Sequence, residues 1–258
     1  MTANVQRRAG ASQPNRDRPV ADIEQPKHAL LAAGLPVLSV DTQKTELIGN
    51  FKNAGRSWCQ AADDVNDHDV AHDAVGKARP SGMYDLQQHC GAIYVGTAAD
   101  TPQFAVEMIA RWWQTAGQAV FPPATQLLIL AAAGGRNGCR PRMWKPQLHE
   151  PGADRLGREA TVCHYPRGAS KGNPSEQRLV GPISRNWAGK PLRTFETMLA
   201  YSRGPTTVTG LRVNAVLVDQ VSEQGRPVSA TAMQNLNIQV AEVCPKWNYP
   251  IRPRTTCP

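Results

Sequence analysis

The sequence predicts an α/β protein built on a mixed sheet, and two observations lead to this expectation. Short runs rich in Val, Ile and Leu recur along the first two thirds of the chain, as buried strands require. Three of these runs come before the clearest helical stretch, whereas the later ones alternate with helical segments. This succession is typical of a mixed sheet flanked by helices rather than of a uniform βαβ repeat.

The predicted strands are apolar segments bounded by polar turns. The first ends next to an acidic residue, Asp41, and a polar turn containing Lys44 separates it from the second. The five predicted strands cover residues 35–40, 46–51, 91–96, 126–131 and 159–165.

The clearest predicted helix covers residues 101–116. Thr101 suits the N-cap and Pro102 suits the first turn. Large apolar residues then recur at i+4 spacing along one face, which predicts packing against a sheet. Gly117 is expected to end the helix.

The two ends of the chain are expected to differ from its centre. Residues 1–27 are basic and polar without apolar periodicity, so they are expected to form a disordered leader. The folded domain is then expected over residues 28–200, and residues 201–258 are predicted to form an irregular C-terminal extension.

Composition narrows the class of protein. With 258 residues, 41% of them apolar, the chain is long enough for a substantial core. The six cysteines contain no CxxC pair, so the sequence predicts neither a zinc ribbon nor a disulfide framework. This favours a reducing compartment. The apolar run Leu127–Ala133 is far shorter than the roughly 20 residues that span a bilayer. We therefore expect a cytoplasmic protein, associated with the nucleoid and not with a membrane.

The positive charge of the chain is concentrated in one region. Residues 136–193 contain twelve Lys or Arg and four acids, which equals the net charge of +8 of the whole chain. Such a concentration suits double-stranded DNA, because Lys and Arg bind its phosphates and release counterions. A basic surface that only keeps the protein soluble is the alternative.

Two places in the sequence offer ligands for a divalent metal. A buried strand that delivers the carboxylate of Asp41 at its end is one way to hold such an ion. The segment 63–73 is the second, since it contains Asp67, His68 and His72 together with several other aspartates. Because this segment lacks apolar periodicity, a solvated loop is the simpler interpretation, and a hydrolase centred on these three residues is kept as a weaker alternative.

Several long motifs resemble those of the ISAzo-type insertion-sequence transposases. The resemblance extends from about residue 30 to residue 254. Its motifs are Val-Leu-Ser-Val-Asp-Thr-Gln-Lys-Thr-Glu-Leu-Ile-Gly-Asn-Phe-Lys-Asn at 37–53, Arg-Trp-Trp at 111–113, Gly-Arg-Asn-Gly at 135–138, His-Tyr-Pro-Arg-Gly-Ala-Ser-Lys at 164–171, Thr-Gly-Leu-Arg-Val at 209–213 and Trp-Asn-Tyr at 247–249.

The resemblance implies a ribonuclease H-like DDE catalytic domain over residues 28–200. In that family three carboxylates hold two divalent metals, Mg²⁺ or Mn²⁺, that support DNA strand cleavage and transfer at insertion-sequence ends. Two such ions stabilise the attacking and leaving oxygens of the phosphoryl transfer. Asp41 matches the first acid and Glu176 the third, and both are therefore the expected metal ligands.

The resemblance also implies contacts with DNA and a possible homo-oligomer that assembles on DNA ends. Candidate phosphate contacts come from the basic region of the chain. They are Arg136, Arg140, Lys171 and Arg178.

The second acid of the family pattern is missing. It belongs at the end of the fourth strand, where this chain has Ala132, and no acid lies between Glu107 and Glu150. Gly181-Pro182 is expected to interrupt the helix that carries Glu176, because proline costs about 3 kcal/mol in a helix interior. We therefore expect a truncated or degenerate copy whose transposase activity is impaired.

Two alternatives stay open for the chain. Asn173-Pro-Ser-Glu176 resembles a helix N-cap, so Glu176 has a structural explanation beside the catalytic one. A non-catalytic DNA-binding remnant of the same fold is the alternative function.

Overall fold

One mixed sheet contains eight strands of the described chain. The computed structural model describes residues 17–98, 101–134, 137–138, 143–154, 156–166, 172–219, 228–239 and 247–254. The strands are β1 (Val37–Thr42), β2 (Glu46–Ile48), β3 (Gly76–Asp85), β4 (Cys90–Gly96), β5 (Gln126–Ala132), β6 (Glu159–Tyr165), β7 (Arg212–Val218) and β8 (Asn248–Ile251). Their order across the sheet is β7-β4-β3-β1-β5-β6-β8, and β2 pairs with β3.

The pairing confirms the predicted mixed sheet. β1, β5 and β6 are parallel to each other, whereas β3 is antiparallel to both β1 and β4. The sequence had not indicated β3, although it has ten residues. Its segment contains Gly76, Pro80 and Gly82, which are unfavourable residues within a strand.

The helices cover both faces of the sheet. They are α1 (Asp17–Ala32), α2 (Pro102–Trp112), α3 (Gln118–Val120), α4 (Trp144–Gln147), α5 (Gly181–Asn186), α6 (Phe195–Arg203) and α7 (Ala230–Gln234). Three wider π-helical turns adjoin some of these helices, at Trp113–Gly117, Leu148–Asp154 and Glu176–Val180, and a 3₁₀ turn covers His68–Asp73.

Helix α1 corrects the expected start of the folded chain. It begins at Asp17, inside the stretch 1–27 that was expected to be a disordered leader. Ile23 is fully buried against Val37 and Leu128 of the sheet, and this contact gives the helix its apolar anchor. Residues 1–16 lie outside the described chain, so the expectation for them stays a prediction.

Helix α2 begins as predicted but does not end as predicted. The Thr101 side chain caps it by accepting a hydrogen bond from the Phe104 amide, at 3.1 Å. Gly117 does not stop the helix, which continues through a π turn into α3. A Cβ at Gly117 would lie 2.7 Å from the Trp113 ring, so tryptophan packing explains this glycine better than a cap does.

Side chains alternate between two apolar layers along the central strands. Leu38 and Val40 of β1 point into the layer covered by α2. Val37 of the same strand points into the opposite layer, beneath α1. Asp41 follows this alternation and lies on the face of Val37, where the helix bearing Glu176 also packs.

The C-terminal extension contributes both outer strands of the sheet. β7 pairs with β4 at one edge and β8 with β6 at the other. These residues, expected to form an irregular appendage, thus share the sheet of the preceding domain. In the described part of the chain, every helix is too short or too polar to cross a membrane.

Candidate active site

Asp41 and Ala132 lie side by side at the carboxyl edge of the sheet. Val40 of β1 is paired with Ala131 of β5 in parallel register, so the next residue of each strand reaches the same edge. Both side chains point to the same face, because each follows the alternation of its own strand. Tyr165 of β6 is paired with Ala132 and extends this row to a third strand. The sequence position of the missing acid is thus the direct neighbour of Asp41.

The hydroxyl of Ser39 attaches the segment bearing Glu176 to the strand bearing Asp41. It donates a hydrogen bond to the Asn173 side-chain oxygen and accepts one from the Ser175 amide, at 3.1 Å. All three residues are buried, so both hydrogen bonds are shielded from water. The Ser39 clamp, as we call this pair of hydrogen bonds, fixes the chain immediately before Glu176.

The clamp changes the interpretation of the predicted N-cap. The Asn173 oxygen accepts its hydrogen bond from Ser39, and the amide of Ser175 is satisfied by the Ser39 hydroxyl. The start of this helix is therefore capped by a side chain from β1. Sequence reasoning missed Ser39, although its position two residues before Asp41 predicts the same face of the strand.

Gly181-Pro182 does not break the helix, contrary to the expectation. The chain forms a π turn over Glu176–Val180 and continues directly into α5, with Pro182 in the first turn of that helix. The Gly181 amide donates to the Glu176 carbonyl, which is the wider i to i−5 pattern. Since a first-turn proline needs no amide partner, the wider turn accommodates Pro182 at the junction.

Leu179 holds this π turn on the sheet. Its side chain is fully buried against glycines of β3 and β4. A Cβ at Gly91 would lie 2.2 Å from the Leu179 Cδ1 atom, and one at Gly82 would lie 3.4 Å from Cδ2. The absence of side chains at these two glycines therefore leaves space for Leu179, so the helix packs closely on the sheet. Glu176 lies at the exposed start of this helix.

Burial and the nearby Glu176 raise the pKa of Asp41 to about 6. Burial has the larger effect, since it disfavours the charged carboxylate. The charge of Glu176 adds to it, and a hydrogen bond from the Thr42 backbone acts in the opposite direction. The charge of Glu176 therefore acts on Asp41, although the sequence separates the two residues widely.

Several polar atoms around the two acids have no hydrogen-bond partner among the described residues. They include the Ser175 hydroxyl, the Asn173 side-chain nitrogen and the Tyr165 hydroxyl. Buried polar groups without partners are costly and usually mark a place where water or a ligand binds. The site therefore retains unused hydrogen-bonding capacity on the Glu176 side.

The donor set fits one divalent metal better than two. Mg²⁺ is commonly held by one or two carboxylates and keeps several water ligands, and Asp41 with Glu176 meets this need. A pair of ions requires more carboxylate charge, and Ala132 offers none. Among the residues that the structure describes, no group of three or more His, Cys, Asp or Glu could hold a metal.

The acidic segment 63–73 does not form a rival metal site in the described chain. Asp63 forms a salt bridge with Arg193 at 2.9 Å, and His72 lies 3.3 Å from Asp73. The side chain of His68, the central residue of that alternative, is outside the described part.

Of the four candidate phosphate contacts, only Arg178 falls in the described chain. It is exposed and follows Glu176 by two residues. Arg136, Arg140 and Lys171 lie outside the described residues, so their assignment stays a prediction.

Part of the basic region has structural partners. The Arg158 guanidinium donates to the Ala124 carbonyl at 2.7 Å and lies over the Trp113 ring. The Lys145 ammonium lies 4.5 Å from the centre of the Tyr249 ring. The charge excess over 136–193 thus overstates the number of cations available to a ligand.

Comparison with known proteins yields a family and a fold. The sequence profile of the family described as Rhodopirellula transposase DDE domain matches residues 1–253. Among solved structures, the chain is similar to Mos1 transposase in its paired-end complex with left transposon end, with a TM-score of 0.50 and 12% identity. That match covers 76% of this chain and 56% of that one, so the chain spans little more than half of its length. No curated protein matches the chain.

The structural likeness confirms the ribonuclease H-like fold that the resemblance implied. At this low identity it carries information on the fold and not on the chemistry.

Proposed function

The chain belongs to the family of Rhodopirellula transposase DDE domains, and we propose that it binds the ends of an insertion sequence as double-stranded DNA and acts on a phosphodiester at the edge formed by Asp41 and Glu176. The observation that carries this proposal is the Ser39 clamp, which holds the chain immediately before Glu176 on the strand that carries Asp41. Two neighbouring acids, where the negative charge of one raises the pKa of the other as Glu176 does for Asp41, are a common arrangement where a divalent metal binds.

Each residue of the site has a distinct task in this proposal. Asp41 and Glu176 hold Mg²⁺ or Mn²⁺, which supplies charge stabilisation at the phosphoryl group when bound. The Ser39 clamp keeps Glu176 aligned before any ligand arrives, so little reorganisation is needed on binding.

We further propose that strand cleavage and transfer are impaired in this chain. Ala132 occupies the place next to Asp41 from which a third carboxylate would reach the same metal ion. With two acids the site retains one ion more readily than the pair that supports in-line displacement.

Calorimetric titration of Mg²⁺ or Mn²⁺ tests the proposed site. The wild type is expected to bind one equivalent, and Asp41→Asn and Glu176→Gln are each expected to weaken this binding at least tenfold. Asp64→Asn is the matched control, because it removes one carboxylate from an exposed loop residue. Equal metal binding by Asp41→Asn and the wild type would contradict the assignment.

A cleavage assay separates the impaired enzyme from the alternative, a non-catalytic DNA-binding remnant. Duplexes carrying the element's ends would be incubated with the protein and Mg²⁺ or Mn²⁺. Slow nicking that disappears in Asp41→Asn supports an impaired enzyme. DNA binding without nicking, in a protein that also fails to bind metal, supports the remnant.

A further inference from the structure

A groove of about 480 Å³ runs beside the helix that carries Glu176. One wall comes from this helix and the other from two turns that face it. Its lining includes Gln177, Arg178 and Arg185 on the helix side and His89, Thr207 and Thr209 on the facing side. Within the described chain the lining contains cations, hydroxyls and an amide but no carboxylate.

The two arginines of the groove are available to a ligand. Both are exposed, and neither side chain forms a salt bridge or a hydrogen bond with another described residue. The Arg203 guanidinium, by contrast, donates a hydrogen bond to the Ala215 carbonyl and is therefore not available to a ligand. Two uncompensated guanidinium groups in one concave site favour an anion.

The facing wall is held in place by its own hydrogen bonds. The His89 ring bridges the Tyr84 hydroxyl at 2.6 Å and the Thr209 hydroxyl at 2.8 Å. The Thr207 hydroxyl accepts from the Leu211 amide at 2.9 Å. Because the wall is braced in this way, the groove does not depend on a ligand to form.

The spacing of the arginines favours a chain of phosphates over a single phosphate. Arg178 and Arg185 are seven residues apart, which is about 10 Å along a helix with a rise of 1.5 Å per residue. One phosphate group is small compared with this distance, whereas the phosphates of a nucleic-acid strand recur along it. Arg185 lies about 13 Å from Glu176 on the same estimate.

We propose that this groove binds successive backbone phosphates of the DNA strand on one side of the phosphodiester at Asp41 and Glu176. This inference rests on the proposed function, and it adds a second contact region that includes Arg185. The groove reaches from Arg178, two residues after Glu176, to the turn between β3 and β4 at His89, so a bound strand would extend from the acids towards that turn.

DNA binding measured over a range of salt concentrations tests the groove. The assay is run in EDTA so that cleavage plays no part. Each lost phosphate contact is expected to reduce the slope of log K against log salt by about 0.9. Arg185→Gln should therefore reduce the slope by about one, and Arg178→Gln/Arg185→Gln by about two, with at least a tenfold loss of affinity at 50 mM salt.

Arg111→Gln is the matched control for Arg185→Gln. Arg111 is exposed on α2, which packs on the opposite face of the sheet. Its removal changes the net charge equally and should leave the slope unchanged. A wild-type slope in the double variant, or the same reduced slope in Arg111→Gln, would overturn the groove as a DNA-phosphate site.

Neutral methylphosphonates placed one at a time in the DNA identify the phosphates concerned. At one or two positions on one side of the cleaved bond, the substitution should weaken wild-type binding but not binding by the double variant. Inorganic pyrophosphate serves as the free-anion probe. If it binds the groove while the double variant retains full DNA affinity, the groove is a small-anion site and the DNA assignment is wrong.

These outcomes separate the groove from the metal site. DNA binding that depends on Arg178 and Arg185 in a protein without metal binding or nicking supports the groove and contradicts the catalytic function. Metal binding and nicking that are unaffected in the double variant support the function and contradict the groove. Failure of the wild type to bind DNA even at 20 mM salt would contradict both.

Discussion

Asp41 is a residue that opposes folding at neutral pH. Its pKa in the folded protein is about 6, against an ordinary value of 3.8. A raised pKa for an acid means that the folded state binds the proton more tightly than the unfolded state. The stability that this residue contributes is thus complete below pH 3.8 and is lost as the pH rises through 6. The loss amounts to at most about 3 kcal/mol, because one pKa unit corresponds to 1.36 kcal/mol.

Asp41→Asn is expected to stabilise the metal-free protein at pH 7.5. The neutral amide keeps the shape of the side chain and avoids the burial of charge beside Glu176. The gain should be about 2 kcal/mol, which corresponds to several degrees in Tm, and should disappear near pH 4. Thermal unfolding in EDTA at both pH values measures it.

The control for this variant is Asp64→Asn. Asp64 is exposed, so the substitution should change stability by less than about 0.5 kcal/mol. Destabilisation by Asp41→Asn at pH 7.5 would show that Asp41 has a favourable partner in the metal-free fold.

Ala132→Asp is expected to strengthen metal binding and weaken the metal-free fold. A third carboxylate beside Asp41 adds like charge to a partly buried site, which costs about 1–3 kcal/mol without metal. The same charge should improve Mg²⁺ affinity at least tenfold and admit a second ion. Titration calorimetry and thermal unfolding with and without Mg²⁺ give the two quantities.

The neutral control is Ala132→Asn, which adds nearly the same volume without charge. If both variants destabilise equally and neither binds metal better, then the space beside Asp41, and not its charge, limits the site.

At the scale of elements, the Ser39 clamp connects a strand to a helix that is distant in sequence. Removal of the hydroxyl leaves the Ser175 amide and the Asn173 oxygen without partners in a buried place. Each such loss typically costs about 1–3 kcal/mol. The position of Glu176 should become less well defined at the same time.

Ser39→Ala is therefore expected to destabilise the protein by about 2–4 kcal/mol and to lower the pKa of Asp41 towards its ordinary value. The pKa change reports on the surroundings of Asp41, because burial and the charge of Glu176 both raise this pKa, and carboxyl NMR titration detects it. Ser81→Ala is the matched control, because Ser81 is equally buried and its hydroxyl lacks a partner among the described residues. An unchanged pKa of Asp41 in Ser39→Ala would show that the clamp does not position Glu176.

The predictability of the elements followed the strength of their local signals. β1, β4, β5, β6 and α2 have clear apolar runs, and all of them appear where the sequence indicated. β3 was missed because its pairing with β1 and β4 overrides the poor strand propensity of its Gly and Pro residues. The strands β7 and β8 were missed as sheet members because edge pairing with distant strands has no local signature.

The candidate site was only partly predictable for a similar reason. Asp41 had a local signal at the end of its strand, whereas Glu176 was singled out through a family resemblance. The Ser39 clamp and the π turn at Glu176–Val180 arise from contacts between distant segments. Residue propensities predict that Gly181-Pro182 breaks the helix, because they do not include a π turn that accommodates the proline.

At the scale of the whole molecule, two buried groups give opposite responses to acid. His164 is buried between β5 and β8, where its ring meets the Ala132 carbonyl and the Tyr249 hydroxyl. Burial lowers its pKa to about 4, the hydrogen bond with the Ala132 carbonyl opposes this shift, and the charge of Lys145 adds to it. Because the unfolded chain takes up this proton near pH 6.5, stability falls as the pH drops from 6.5 to 4. Protonation of Asp41 offsets this loss over much of the same range.

His164→Gln is expected to make the free energy of unfolding rise on acidification relative to the wild type, because the Asp41 contribution is then no longer offset. Glutamine can still donate to the Ala132 carbonyl but cannot take up a proton. Between pH 6.5 and pH 4, the wild type should lose up to about 3 kcal/mol from His164, and the variant should lack this loss. Urea unfolding at pH 7, 5.5 and 4 gives the profile. The same slope in both proteins would assign the acid sensitivity to other groups.

The Ser39 clamp also decides which parts of the chain are free to change in length. Ser39 and Asp41 belong to one strand, so the separation of the two acids is set by a path of a few residues across the clamp. The surface loops between them do not lie on that path. Insertions or deletions at the surface loop before β3 are therefore expected to leave the acid pair at the same spacing. Related chains with this clamp can therefore differ in the length of that loop and keep the same spacing between the two acids.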